Sequence, residues 1–239
     1  MAPPNVFILT GAGISAESGL STFRDKDGLW SRYKIEDVAS IEGYGRDPQR
    51  VLDFYNLRGG AHGDVQPNAG HIALARLEQH WKMRGAVVTV CTQNIDNLHE
   101  RAGSRRVIHM HGELAKVRCH NCGNVTPRDG DLSINLACAA CGQIGGMRPH
   151  VVWFGETPLG MDAVYEALAA SKLFVSIGTS GSVYPAGGFV RAAREADVAT
   201  MEINLEPSEN ADAFDARRYG KASEVLPVWV DEMIGSVGR

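Results

Sequence analysis

A chain of 239 residues, 44% apolar and 22% charged, has ordinary globular composition and length for one large domain or two smaller ones, which excludes wholesale disorder. Lys plus Arg number 24 against 28 Asp plus Glu, a formal charge of −4, without the basic surplus of a non-specific nucleic-acid binder. Its longest apolar runs (6–9, 86–91, 173–175) are strand-sized, far short of the ~20 residues that span a bilayer. The opening MAPPNVFILTGAG lacks a basic stretch ahead of its apolar run, so the expectation is a cytoplasmic protein with no secretory leader and no membrane partner.

In chain order, Asn5 to Thr10 reads as a buried strand closed by the turn Gly11-Ala12-Gly13. A helix is expected to open near Ser15, with Glu17 in its first turn at the positive end of the dipole. Residues 25–66 are polar and Gly-rich, with a helix over 47–58. Asn68 can cap a helix bearing Ala73, Leu77 and Trp81 on one face, stopped by Gly85. A buried strand (86–92), a short helix (96–102) and a strand (106–111) follow. Residues 113–147 change character, with few large apolar side chains, many glycines and four cysteines. The pattern then resumes with helix 161–171, strand 173–178, helix 187–195, strand 198–204 and a last helix from about Val228.

Continuous apolar strands alternating with helices imply an α/β fold, a parallel sheet covered on both faces. The expected division is a sheet domain of residues 1–30, 67–112 and 148–239, with 31–66 and 113–147 inserted as a smaller lobe. Ligands of such sheets bind at the carboxyl ends of the strands. Gly11-Ala12-Gly13-Ile14-Ser15-Ala16 fits G-x-G-x-x-A between strand and helix, a turn that either cradles a dinucleotide phosphate or is merely tight. The acidic residue that would grip the ribose in a nicotinamide dehydrogenase is missing, since STFRDKDGLWSRYK reads as loop.

Cys119-x-x-Cys122, fifteen intervening residues, then Cys138-x-x-Cys141 is the spacing of a four-thiolate zinc ribbon. Four thiolates leave no open coordination position, so the expected zinc is structural. Cys91, alone in an apolar run, reads as a core thiol.

GAGISAESGLSTFR (11–24), TQNIDNLH (92–99), HMHGEL (109–114), the four-cysteine module, GTS (178–180), INLEPS (203–208) and GKASEVLPVWV (220–230) follow one another in this order. Together they resemble the sirtuin family of NAD-dependent protein-lysine deacylases, over nearly the whole chain. The resemblance implies a Rossmann-like NAD-binding domain with an inserted zinc-ribbon and helical lobe. NAD and acylated-lysine proteins would enter the cleft between them from opposite sides. NAD is consumed in that reaction: the acyl oxygen attacks C1′ of the nicotinamide ribose, nicotinamide leaves, and the acyl group ends on ADP-ribose.

By the same resemblance His111, followed by Gly112, is the general base, a role that a histidine with a pKa near ~6.5 can fill. Without the motif, His111 also reads as a hydrogen-bonded strand histidine, and His109 would share its face on a continuing strand. Gln93, Asn94, Ile95 and Asp96 match the nicotinamide pocket, although Asn94 or Asp96 could equally cap a helix. Gly11, Ala12, Gly13, Ser15 and Glu17 match the phosphate turn, and Phe23, Arg24 and Trp30 the cofactor loop. Gly178, Thr179, Ser180, Asn204, Leu205, Glu206 and Ala222 match the segments around phosphates, adenosine ribose and adenine. Val151, Trp153 and Phe154 match the segment that pairs with substrate backbone, and they also suit an apolar linker between lobes.

Tyr55 and Arg58 lie three apart in an expected helix and so share a face. Sirtuins that prefer succinyl- and malonyl-lysine carry Tyr-x-x-Arg at this place, where a guanidinium fork and a phenol can pair with a terminal carboxylate. Read without the family, the pair is a surface tyrosine and an exposed arginine. Deacetylation is the competing activity; mono-ADP-ribosylation of a protein and a zinc-ribbon module that senses NAD are more distant alternatives.

Overall fold

In the computed structural model, residues 3–20, 33–63 and 65–236 are described; Phe23, Arg24 and Trp30, expected at the cofactor, lie outside the described residues. Strands β1 (Val6–Thr10), β2 (Val88–Thr92), β3 (Val107–His109), β7 (Leu173–Ile177), β8 (Ala199–Asn204) and β9 (Ala216–Tyr219) form one parallel sheet. Their order is β3-β2-β1-β7-β8-β9. The chain leaves β1 toward β2 on one side and returns beside it as β7, so the topological switch point falls at the end of β1.

Alternation along the strands assigns side chains to the two faces. Val6, Ile8, Val88, Val90, Val175 and Ile177 point one way, onto Leu74, Leu77 and Trp81 of α5 (Ala69–Lys82) and Leu226, Trp229 and Val230 of α9 (Ala222–Ser236). Phe7, Leu9, Cys91 and Phe174 point the other way, onto Val164 and Leu168 of α7 (Met161–Ala169) and Phe189 and Val190 of α8 (Phe189–Glu195). Cys91 is therefore a core thiol, its pKa pushed up to about 12 by burial. Asn68 caps α5 as its position predicts, accepting from the Gly70 amide and donating to the Ile14 carbonyl at 2.7 Å.

The smaller lobe joins α2 (Ile35–Val38), α3 (Ile41–Arg46) and α4 (Pro48–Gly63) to a second sheet, in which β4 (Gly112–Cys119) runs antiparallel to β5 (Val125–Pro127) and β6 (Met147–Val151). That sheet was invisible to hydropathy patterning because β5 is short and largely exposed and β4 carries only scattered apolar positions. The lobe is held together by packing onto α4: Leu52 meets Val117, Cys119, Leu132, Cys138 and Met147.

Other differences from expectation have local causes. The first helix, α1, covers Ala12–Ala16, so Glu17 sits at its C-terminal cap and not in its first turn. The strand expected over 106–111 ends at His109; Met110, fully buried, and His111 turn out of it before Gly112, whose φ of +78° suits glycine. The last helix begins six residues before Val228, because Pro227 lies inside it. A proline there forfeits one backbone bond, which burial of Leu226, Trp229 and Val230 outweighs. Edge strand β9, ARRY, has no apolar run to announce it.

Candidate active site

Sequence-predicted residues gather where the sheet topology places them, beyond the carboxyl ends of β1, β2, β7 and β8. Gly11 follows β1, Gln93 follows β2, Gly178 follows β7 and Asn204 ends β8. Gly11 and Gly13 are dictated by close approach. A Cβ at Gly11 would lie 2.8 Å from the Gly178 carbonyl oxygen, and one at Gly13 would lie 2.7 Å from Gly178 Cα. The Gly13 amide donates to the Gly178 carbonyl at 2.9 Å, so the first turn and the β7 loop form one surface, of which Ala12 is part. Thr179 bonds Ser176, its carbonyl accepts from Asn204, and Ser180 bonds Ser182. Leu205 and Glu206 project outward, and Ala222 opens α9.

Behind this surface lies a buried polar network. Ser15 donates to Asp96 Oδ2 at 3.0 Å and accepts from the Asn94 amide at 3.2 Å. Asn94 also donates to the Gly11 carbonyl, and Asp96 Oδ1 accepts from the Leu98 amide at the start of α6 (Leu98–Ala102). Asp96 thus holds the first amide of α6, whose N-cap is Asn97, and lines a cavity at once. Burial raises its pKa, countered by those two hydrogen bonds. Ile95 lies between them and bonds Leu114 through its carbonyl.

His71 was missed by sequence reading. It accepts from the Asn68 amide through Nδ1, which leaves Nε2 facing Ser15 Oγ at 3.4 Å as a donor. Burial drives its pKa down to about 4, so the ring stays neutral. Its only sequence signal was the third position after a helix cap. Glu17 accepts from the Ser223 amide and hydroxyl, joining α1 to the first turn of α9.

The two histidines are distinguished by their partners. His111 Nδ1 lies 3.0 Å from the Gln93 carbonyl, an acceptor, so Nδ1 carries the proton and Nε2 is left as the basic nitrogen. Burial lowers the pKa of His111, and the Gln93 bond offsets part of that. His109 Nε2 instead lies 2.7 Å from Glu100 and 3.5 Å from Glu113. Burial opposes its charge, but the Glu100 hydrogen bond and the two carboxylates outweigh it and raise its pKa.

Tyr55 and Arg58 occupy one face of α4, and neither is a loose surface group. Tyr55 is 2% exposed, and its oxygen accepts from the Trp153 indole at 3.0 Å. The Arg58 guanidinium stands 5.9 Å from the ring centres of both Phe54 and Tyr55. Burial lowers its pKa, against the attraction of Tyr55 and Asp96. A cavity of about 640 Å³ opens beside the end of α4, lined by Gly59, Gly60, Asp96, Leu114 and Arg128.

Val151 and Trp153 are buried and Phe154 is half exposed. The amides of Val152, Trp153 and Phe154 bond His111, Glu156 and Ala39 respectively.

Four sulfurs complete the site's scaffold. Cys119, Cys122, Cys138 and Cys141 lie within 4.8 Å of one another, with Sγ–Sγ distances of 3.7 Å for 119–141 and for 122–138. Thiolates at about 2.3 Å from one tetrahedral ion stand about 3.8 Å apart, so the donor set fits zinc without rearrangement. The zinc would be structural: it ties β4 to the 138–141 turn in a lobe whose own core is small.

Sheet order, glycine turns at the switch point and an inserted four-cysteine lobe define a dinucleotide-binding α/β protein with a metal-stabilised second lobe. Residues 11–185 match the Sir2 family. The chain is 58% identical over 229 residues to an NAD-dependent protein deacylase of Caulobacter vibrioides, covering 96% of each. It resembles a crystal structure of a Sir2 homologue bound to NAD (TM-score 0.88, 37% identity, 99% of this chain and 92% of that one). It also resembles a Sir2 variant with a deacetylated peptide and acetylated ADP-ribose (TM-score 0.79, 28% identity, 95% and 93%). The chain belongs to the Sir2 family.

Proposed function

We propose that this NAD-dependent protein deacylase acts on acylated lysines and favours acyl groups that end in a carboxylate. One observation supports that preference above all others: Tyr55 and Arg58 lie together on one face of α4, with the Tyr55 oxygen held by the Trp153 indole, at the helix end that borders the cavity. An acetyl group has nothing for a guanidinium to pair with, whereas a succinyl or malonyl carboxylate accepts its fork and the phenol proton.

NAD would lie along the ends of β1, β7 and β8. The Gly11–Gly13 turn and the Gly178–Ser180 loop take the phosphates, with Asn204, Leu205, Glu206 and Ala222 toward adenosine. Asn94 and Asp96, fixed by Ser15, face the nicotinamide. His111 takes a proton from a ribose hydroxyl at Nε2, the nitrogen that the Gln93 bond leaves unprotonated. Zinc, held by the four cysteines, supplies no chemistry and keeps the small lobe in place.

The test is nicotinamide release from matched acetyl- and succinyl-lysine peptides by the parent and by Arg58→Met. The succinyl rate should fall roughly tenfold in the variant, the lower end of a charge-assisted pair, while the acetyl rate holds or rises. An equal fall on both peptides would make Arg58 a structural residue and end the preference.

A further inference from the structure

Behind Trp153 a second arginine sits sealed from solvent. Arg148, on β6, is 2% exposed, and its Nη1 and Nη2 donate to the two carboxylate oxygens of Glu156 at 2.8 and 2.9 Å. Its guanidinium carbon lies 3.2 Å from the Trp153 ring centre. Glu156 in turn accepts from the Trp153 backbone amide at 2.8 Å and from Arg118 at 2.6 Å. The indole is thus gripped twice, at its backbone by Glu156 and on its face by Arg148.

The consequence falls on Tyr55. Indole Nε1–H is a donor only, and it donates to the Tyr55 oxygen at 3.0 Å. A phenol that accepts there must send its own proton elsewhere. Arg58, the neighbouring cation on the same helix face, cannot accept it. An incoming carboxylate can. The proton of Tyr55 is aimed, and the aim depends on the indole staying where Arg148 holds it.

We propose that Arg148 is a positioning residue for acyl choice: clamped by Glu156 and stacked on Trp153, it fixes the indole that makes Tyr55 a donor to the acyl carboxylate. This rests on the preference for carboxylate-ended acyl groups. It adds a residue that never touches the acyl group and whose loss should change selectivity more than turnover.

The experiment compares kcat and KM on succinyl- and acetyl-lysine peptides for Arg148→Lys and for the double variant Arg148→Met/Glu156→Gln. Arg148→Lys keeps a cation beside Glu156 and so spares the fold. The double variant removes both charges together and leaves no buried carboxylate stranded. In each, KM for the succinyl peptide should rise about two- to tenfold, the span of one hydrogen bond, with acetyl-lysine kinetics near those of the parent. Arg148→Lys should show the smaller change. Placed on a Trp153→Phe background, which already lacks the indole donor, Arg148→Lys should lower the succinyl/acetyl ratio no further. An unchanged ratio in Arg148→Lys, an equal loss on both peptides, or full additivity with Trp153→Phe would overturn the proposal. If Tyr55→Phe and Arg58→Met leave the ratio unchanged, the acyl preference itself fails. If they lower it and Arg148→Lys does not, only the positioning role fails.

Discussion

His111 and His109 are two residues apart, and the acid limb of the rate profile separates them. A general base must be neutral to accept a proton, so activity should rise with pH through the pKa of the histidine that serves. Burial places His111 below its ordinary value near 6.5, and Gln93 fixes its proton on Nδ1. His109, paired with Glu100 and Glu113, is displaced the other way. The acid limb of kcat/KM on an acyl-lysine peptide should therefore have its midpoint below 6.5, leaving most of the enzyme competent at pH 7. His111→Ala should cut deacylation by about 10²–10⁴-fold, or roughly 3–5 kcal/mol of barrier, with the fold retained. In single-turnover assays the loss should fall at least partly after nicotinamide departure, where the ribose hydroxyl must give up its proton. His109→Gln should shift the limb little. A midpoint above 6.5 that disappears in His109→Gln, with His111→Ala near normal, would refute the assignment.

One zinc per chain should be found by elemental analysis, and Cys138→Ser should release it and loosen the small lobe; well-folded, active protein without zinc would contradict this. His71 gives a stability test. Its folded pKa of about 4 lies below the unfolded value, so the unfolded chain binds its proton first as pH falls. The contribution is whole above about pH 6.5 and lost toward pH 4, roughly 2–3 kcal/mol by pH 4.5. Denaturant curves of the parent and of His71→Gln should converge by that amount on acidification, and parallel curves would show that the ring titrates normally. Glu17→Gln should raise KM for NAD severalfold more than KM for peptide, because its carboxylate joins α1 to α9 through Ser223; equal effects on both would place it elsewhere.

Elements with a buried, continuous apolar run were legible in the sequence. Strands β1, β2, β7 and β8 and the capped α5 lie close to where patterning put them, because each is buried on its faces by the sheet or by packing against it. The second sheet was not legible, since β5 is short and largely exposed and β4 packs on Leu52 of α4 and on Cys138, contacts distant in sequence. Motif spacing brought Ser15, Asn94 and Asp96 to one network, but it could not reveal His71, whose role depends on where α5 docks. Nor could it reveal Arg148, which works through the ring of Trp153. For Tyr55 and Arg58, spacing put the pair on one face of α4, and only the fold shows that Tyr55 is buried and bonded to the Trp153 indole.

The central claim is most directly tested by initial rates of nicotinamide release from NAD with matched acetyl-, malonyl- and succinyl-lysine peptides, and with none. Release should require an acyl-lysine peptide, and kcat/KM for succinyl- or malonyl-lysine should exceed that for acetyl-lysine by roughly tenfold. Release that proceeds equally without peptide would contradict the deacylase reading, and a higher kcat/KM on acetyl-lysine would contradict the carboxylate pocket at Tyr55 and Arg58.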